Sequence, residues 1–169
     1  MSAPAPRNVT AVVGNPKPGS RTLTAARECA QQIADVIGAP AVETFDLAEL
    51  GPALLAWNDP DVARVRDAMR ASAVVVVASP TYKATYTGLL KLLFDQIAAG
   101  ELHGTQAVPL MVGGAPNHAL AVDVHLRPLL LEVGCSCPTQ GLYILESELD
   151  NVATVIGAWA DRWAAVLRA

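Results

Sequence analysis

The feature that most constrains the fold of this chain is the alternation of short apolar runs with helical patterns. Apolar, strand-like runs occupy 8–14, 41–46, 73–79, 107–113 and 137–145. The first, third and fourth are nearly continuous in apolar residues, which is typical of strands covered by helices on both faces. The second run alternates in part between apolar and polar residues, as an edge strand does.

Helical periodicity fills the intervals, over 22–37, 61–70, 87–97, 117–133 and about 148–167. Strands that alternate with helices predict right-handed crossovers and a parallel sheet. Five such strands fit the doubly wound order 2-1-3-4-5. We therefore expect one α/β domain over 1–169, with a flexible tail at 1–6. Trp159 and Trp163 follow the helical spacing of the last segment, which favours core packing.

Composition excludes several classes of protein. Hydrophobic residues make up 52% of the chain and charged residues 17%, a balance too apolar for a disordered protein. The formal net charge of −4 offers no electrostatic footprint for nucleic acid. We see no signal peptide, and no apolar run reaches the roughly 18 residues of a membrane span. The expected location is the cytoplasm, without a nucleic-acid or membrane partner.

The three cysteines, Cys29, Cys135 and Cys137, do not form a disulfide framework, because their number is odd and their spacing is wide. Cys135 and Cys137 lie as C-x-C in an apolar stretch, where small core or edge residues are the simplest interpretation. A metal or redox site would need further ligands that the sequence does not offer nearby. We predict no metal.

The loop after the first run is the first candidate ligand site, since ligands of such sheets bind outside the carboxyl ends of the strands. It reads Gly-Asn-Pro-Lys-Pro-Gly-Ser-Arg-Thr, which is neither G-x-G-x-x-G nor a P-loop. Asn15, Ser20 and Thr22 offer neutral donors at a helix N-terminus, and Lys17 and Arg21 add positive charge. A phosphate monoester fits these groups. The alternative is a simple helix cap beside two solvated cations.

The loops after the third and fourth runs are also unusual. Residues 79–88 carry two tyrosines and three threonines, and their backbone can meet the edge of a heteroaromatic ring. An ordinary loop whose tyrosines pack back on the domain is the alternative. Gly113 and Gly114 allow close approach of a flat ligand. His118 begins the next helical segment, where a surface contact is its ordinary role.

These three loops carry a family resemblance. The G-S-x-R-x-x-S loop of the family corresponds to residues 14–20, and its P-x-Y-x-x-x-x-x-G-x-L-K segment to residues 80–91. Its third loop corresponds to the paired glycines, with His118 and the Leu-Arg-Pro of 126–128 following. The sequence resembles the NAD(P)H-dependent FMN reductases, in particular the reductase partners of alkanesulfonate-type two-component flavin monooxygenases.

The resemblance implies a flavodoxin-like fold that binds FMN and reacts with NADPH or NADH. It further implies a homodimer or homotetramer and a flavin-dependent monooxygenase as partner. By motif position, the phosphate would be bound by Asn15, Lys17, Ser20, Arg21 and Thr22. The flavin ring would lie among Pro80, Thr81, Tyr82, Lys83, Gly113 and Gly114, with His118 as a further contact.

Some residues depart from the family pattern. Asn15 stands for a Ser and Lys17 for an Arg, and a lysine offers a point charge without the bidentate fork of arginine. A phosphate held less tightly would suit a flavin that leaves. Relatives of the sulfonate type can carry an aromatic residue or His near Val124, whereas here His125 stands next to that position.

The predicted helix over 87–97 is apolar over more of its surface than one packing face needs. This excess favours self-association of the chain. The alternative is that this helix is well buried in the monomer. Lys91 and Asp95 stand four residues apart and can pair within the helix or across an interface.

The expected reaction is hydride transfer from the nicotinamide to flavin N5, chemistry that belongs to the cofactor. The sequence offers no Ser/His/Asp set and no paired carboxylates, so we name no catalytic residue. Three alternatives remain open: a quinone or azo reductase with bound FMN, a flavodoxin-type electron carrier, and a non-catalytic flavin- or nucleotide-binding module. Flavodoxins are usually more acidic than a net charge of −4.

Overall fold

The computed structural model describes residues 8–169, so the tail expected at 1–6 lies outside the described residues. Within this range, five strands alternate with five α-helices. The strands are β1 (Val9–Val13), β2 (Val42–Asp46), β3 (Val74–Pro80), β4 (Gln106–Gly113) and β5 (Leu142–Leu145). The helices are α1 (Arg21–Ile37), α2 (Pro60–Ala71), α3 (Gly88–Phe94), α4 (Arg127–Glu132) and α5 (Val152–Arg168).

All strand pairs are parallel, and the sheet has the order β2-β1-β3-β4-β5, which confirms the predicted flavodoxin-like topology. The register brings the strand ends to one edge. Val13 at the end of β1 lies between Asp46 and Ala78, and Pro80 at the end of β3 lies opposite Val112. The loops that follow β1, β3 and β4 therefore start side by side.

The two faces of the sheet form two separate cores, because successive side chains of a strand point to opposite sides. In β3, Val74 and Val76 are buried against α1 and α5, whereas Val75 and Val77 are buried against the side that holds α2, α3 and α4. Helices on both faces explain why the apolar runs of the central strands are continuous.

The tryptophans of α5 pack as predicted. Trp159 is buried in the core between α1, α5 and the sheet, and its indole N–H donates to the Gln140 carbonyl at 3.1 Å. Trp163 packs against the same core and is partly buried. Across the described part of the chain, no helix combines the length and apolar character required to cross a membrane.

The cysteines also agree with the interpretation as small core residues. Burial raises the pKa of the Cys29 and Cys135 thiols to about 12 and that of Cys137 to about 11. These thiols stay protonated at neutral pH and are poor nucleophiles or ligands. Within residues 8–169, no group of three His, Cys, Asp or Glu side chains is placed to hold a metal ion.

The helix predicted over 117–133 is helical only over 121–132, and it contains a π-helical turn. The segment forms a 3₁₀ turn (Pro116–His118), a π-helical turn (Val122–Leu126) and the short helix α4. The physical reason is Pro128, which has no N–H to donate to the residue four positions earlier. The Arg127 N–H bonds instead to the Val122 carbonyl, five residues back, which widens the turn.

Three other predicted elements proved too long. Of the run 137–145, only the last four residues form β5, because Arg127 occupies the carbonyls of Cys137 and Thr139 at 2.6 and 2.7 Å. Helix α3 covers less than the predicted 87–97, and α5 follows a 3₁₀ turn (Glu146–Asn151). The Lys91–Asp95 pair forms within one monomer.

Gly14 sets the distance between β1 and α3. A β-carbon at this position would lie 2.4 Å from the Leu90 Cβ and 2.9 Å from its Cα. The close approach lets the Thr87 hydroxyl, which caps α3, donate to the Gly14 carbonyl. Gly14 is therefore required by packing between two elements.

We predict that Gly14→Ala lowers the free energy of unfolding by about 1–3 kcal/mol, because the α3 backbone must move away. Gly88→Ala is the matched control, since a β-carbon there meets nothing within 4 Å. It should leave stability unchanged or raise it by up to about 1 kcal/mol. Urea titrations of both variants measure the difference. Equal stability of the two variants would contradict this account of Gly14.

Candidate functional site

A cavity of about 260 Å³ opens at the carboxyl edge of the sheet, where the strand order reverses. It brings together seven of the residues predicted for the site, which come from the loop after β1, the start of α1 and the end of β3: Asn15, Lys17, Ser20, Arg21, Thr22, Pro80 and Tyr82. The other predicted residues, Thr81, Lys83, Gly113, Gly114 and His118, do not line it. The site thus lies where the doubly wound topology places ligands.

The loop after β1 is held by side chains of its own neighbourhood. The Asn15 Oδ1 accepts the Lys17 N–H at 3.0 Å, and the Asn15 amide donates to the Thr22 hydroxyl at 3.1 Å. Asp46 at the end of β2 accepts the Gly19 N–H at 3.0 Å. Gly19 has a φ of +63°, a conformation that favours glycine. Asn15 therefore shapes this loop in addition to lining the cavity.

The N-terminus of α1 points into the cavity. Ser20 caps the helix, because its hydroxyl oxygen accepts the Leu23 N–H at 3.2 Å. Ser20 is therefore a helix cap, as one of the two interpretations of this loop expected. The hydroxyl proton of Ser20 is not used in the cap and can be donated to a ligand. Arg21 and Thr22 are the first two helical residues, so their N–H groups have no partner within the helix. These donors and the helix dipole favour an anion.

Charge in the cavity is mixed. Lys17 is exposed at its rim. The Arg21 guanidinium lies 3.2 Å from a carboxylate oxygen of Glu146, and both side chains are more than half exposed. An exposed pair of this kind contributes about 0–1 kcal/mol, so Arg21 is free to turn toward a ligand at little cost.

The loop after β3 forms a tight two-residue turn. The backbones of Tyr82 and Thr85 exchange two hydrogen bonds of 2.9 and 3.1 Å, and between them Lys83 and Ala84 have φ values of +51° and +65°. Residues other than glycine adopt this conformation at a cost of about 1–2 kcal/mol each. The turn directs Tyr82 outward, with half of its surface exposed. Strain at two successive residues is typical of functional loops.

Gly113 and Gly114, at and after the end of β4, differ in the space around them. A β-carbon on Gly113 would lie 1.9 Å from the Tyr143 hydroxyl, which donates to the Ala115 carbonyl at 2.8 Å. Packing within the protein therefore accounts for Gly113. A β-carbon on Gly114 would meet nothing within 4 Å. The open space over Gly114 is thus available to a ligand.

Thr81 lies between these loops. Its N–H donates to the Val112 carbonyl at 2.7 Å, which continues the β3–β4 pairing. Its hydroxyl is buried and has no hydrogen-bond partner among the described residues. A buried polar group without a partner marks a place where a ligand is expected to supply one. This hydroxyl lies next to Gly113, whose added β-carbon would be 3.1 Å from the Thr81 oxygen.

The histidines lie away from the cavity. His118 ends the 3₁₀ turn that follows Gly114 and is half-buried, so it starts no α-helix. His125 and Val124 lie in the π-helical turn and are exposed. His118 thus belongs to the loop after β4 and does not line the cavity.

The sequence interpretation missed four lining residues: Gly19, Val112, Glu146 and Leu149. Glu146 and Leu149 belong to the turn after β5. The rule that selected the loops after β1, β3 and β4 applies to the end of every parallel strand, so the same signal was present for this turn.

Comparison with known proteins agrees with this geometry. The family model of the NADPH-dependent FMN reductases matches residues 7–150, which is most of the chain. An FMN reductase (NADPH) from Pseudomonas aeruginosa is 33% identical over 154 residues, covering 89% of this chain and 83% of the relative. The NADH-dependent FMN reductase SfnF of Pseudomonas putida is 30% identical over 164 residues, covering 94% and 88%.

A solved structure gives the same answer for the fold. The apo form of an NADH:FMN oxidoreductase, EMOB, superimposes with a TM-score of 0.84 at 29% identity, covering 95% of this chain and 89% of that one. Family match, identity and fold therefore agree over nearly the whole length. The chain belongs to the NADPH-dependent FMN reductase family.

Proposed function

We propose that this chain binds FMN with its phosphate at the N-terminus of α1 and catalyses its reduction by NADPH or NADH. The chain is an oxidoreductase of the FMN reductase family, whose reactants are FMN and a nicotinamide nucleotide. The observation that carries the proposed binding mode is the cavity itself. It joins free helix N–H donors, two cations and two hydroxyl groups at the edge where such sheets bind ligands.

The residues present fit an FMN molecule. The N–H groups of Arg21 and Thr22, with Lys17 and the hydroxyls of Ser20 and Thr22, form a donor set for a phosphate. The unpartnered Thr81 hydroxyl and the open space over Gly114 lie on the side expected for the ring. Pro80, Tyr82 and Lys83 would frame that ring, with Gly113 behind it and His118 at its far end.

The protein and the cofactor would contribute differently to the reaction. FMN, when bound, supplies the hydride acceptor, so the protein needs no acid or base of its own for that step. This chain's part is to anchor the phosphate, to present backbone groups of the Tyr82 turn to the ring edge and to leave one ring face open. Positioning of this kind contributes to rate by holding the reactants in the correct geometry.

Reduced FMN would serve a partner monooxygenase, a role that the family resemblance supports. The relatives' names include both NADPH- and NADH-dependent enzymes, and we propose either nucleotide as the hydride donor. The proposed location is the cytoplasm, where nicotinamide nucleotides are available. A quinone or azo reductase with permanently bound FMN is the second candidate, favoured by the exposed Tyr82, on which a flat acceptor can stack.

Steady-state turnover distinguishes these functions. Purified protein is assayed with FMN, FAD or riboflavin against NADPH and NADH, and its flavin content is recorded. The proposal predicts protein that is largely free of flavin and turns over added FMN in preference to a quinone. Tightly bound FMN with a preference for quinones would contradict free FMN as the substrate.

Removing the Arg21 charge tests the phosphate site. We predict that Arg21→Ala weakens FMN binding about three- to tenfold and riboflavin binding by less than about twofold, because riboflavin has no phosphate. The control is Arg64→Ala, which removes an exposed arginine paired with Glu43 outside the cavity. Fluorescence titration of both flavins measures the effect. Equal weakening of FMN and riboflavin would contradict phosphate binding at this site.

Gly114→Val tests the approach of the ring. The branched side chain has room in the free protein, so we expect the unfolding free energy to change by no more than about 0.5 kcal/mol. FMN binding and turnover should be lost, because the side chain would fill the space proposed for the ring. Gly113→Ala should instead lower stability by about 1–3 kcal/mol through its clash with Tyr143. Normal FMN binding by Gly114→Val would contradict the proposed ring position.

We further propose that the chain forms a homodimer or homotetramer. Helix α3, the source of this expectation, is largely covered in the monomer, since Leu90, Leu93 and Phe94 are buried. Exposed apolar side chains support self-association elsewhere. Leu120 and Val124 are 72% and 55% exposed on the segment that contains the π-helical turn. Isolated apolar side chains are normal on a surface, but a cluster supports an interface.

Sedimentation at micromolar concentration tests this assembly. We expect a dimer or tetramer for the wild type and a shift toward monomer for Leu120→Asp, which buries a charge in the interface. Thr154→Asp is the control, because it adds the same charge on an exposed position of α5. A wild-type protein that sediments only as monomer would contradict the proposal.

A further inference from the structure

One acidic side chain faces the proposed phosphate site. Among the described residues that line the cavity, Glu146 alone carries a carboxylate. Its Oε2 atom accepts a hydrogen bond from the Arg21 Nη2 at 3.2 Å. The two side chains are 55% and 66% exposed, so the pair lies at the mouth of the cavity. Arg21, the cation nearest the start of α1, is therefore occupied by a carboxylate in the free protein.

The backbone keeps Glu146 in this place. Glu146 begins the turn that follows β5, and the Glu148 carboxylate accepts the Leu145 N–H at 2.8 Å, which ties the turn to the strand end. Leu145 in turn pairs with Gly113 of β4. Because this turn is tied to the end of β5, Glu146 stays within reach of the cavity when the Arg21 side chain moves.

The charge of Glu146 opposes the charge that the site is built to receive. A phosphate monoester carries about −1.5 to −2 charges at pH 7. It is attracted by Lys17, Arg21 and the N-terminus of α1, and it is repelled by a carboxylate in the same cavity. An exposed ion pair is weak, so a phosphate can displace Glu146 from Arg21, but the displaced carboxylate remains a neighbouring like charge.

We propose that Glu146 determines flavin specificity and release, because it competes with the phosphate for Arg21 and thereby lowers the affinity for phosphorylated flavins. The inference rests on the proposed function, since it takes the flavin phosphate to lie at the start of α1. Competition by Glu146 would explain why FMN dissociates after it has been reduced. The Glu146 carboxylate would also reduce the difference in affinity between FMN and riboflavin, because only FMN carries the phosphate.

The test compares the two flavins in matched variants. Glu146→Gln keeps the size of the side chain and removes its charge, whereas Glu43→Gln removes the same charge from the Arg64 pair outside the cavity. FMN and riboflavin are titrated into the oxidised proteins and followed by quenching of flavin fluorescence. We expect Glu146→Gln to bind FMN about three- to tenfold more tightly and riboflavin within about twofold of the wild type. Glu43→Gln should match the wild type for both flavins.

The dissociation rate of FMN gives a second measurement on the same variants. It should fall in Glu146→Gln by a factor similar to the gain in affinity, because changes of affinity among related variants lie mainly in dissociation. Unchanged or weaker FMN binding by Glu146→Gln would overturn the inference, as would an equal gain for riboflavin. A wild type that binds neither flavin would contradict the proposed function and the inference with it.

Discussion

The site rests on a buried hydrogen-bond network that joins β1, β3 and α3 beneath the cavity. The Ser79 hydroxyl accepts the Thr87 N–H at 3.0 Å and donates to the Pro80 carbonyl at 2.8 Å. The Thr87 hydroxyl donates to the Gly14 carbonyl and accepts the Leu90 N–H at 3.2 Å. Every polar group in this network has a partner, so it is rigid and inexpensive to bury. The loops after β1 and β3 both start from it, which fixes their separation.

The two loops that start from this network bring different chemical groups to the cavity. The loop after β1 ends in a helix N-terminus with free N–H donors, and the loop after β3 ends in a strained turn that exposes Tyr82. The first suits an anion, and the second suits the edge and face of an aromatic ring. We propose that FMN, which carries both, bridges the two loops. The counter-charge of Glu146 then adjusts how long its phosphate stays.

The fold was predictable because its determinants are local. Continuous apolar runs followed by helical periods specify a covered parallel sheet, and the ends of its strands specify the edge on which Asn15, Ser20 and Tyr82 meet. One miss arises from a proline within a helix, and two arise from tertiary contacts. Pro128 is accompanied by a π-helical turn in a helix that the apolar period alone predicts to be regular, and Arg127 takes the carbonyls that would have lengthened β5. Gly113 is required by Tyr143, 30 positions later in the sequence, a contact that no spacing in the sequence reveals.

We propose that this site brings a nicotinamide and FMN together for hydride transfer without an acid or base from the protein. The most direct measurement is anaerobic stopped-flow mixing of the FMN-loaded protein with NADPH or NADH, followed through the flavin absorbance. We expect rapid bleaching of the flavin with at least one nucleotide, at a rate that saturates with nucleotide concentration. FMN that stays bound and oxidised with both nucleotides would contradict it and would identify the chain as an electron carrier or a binding module.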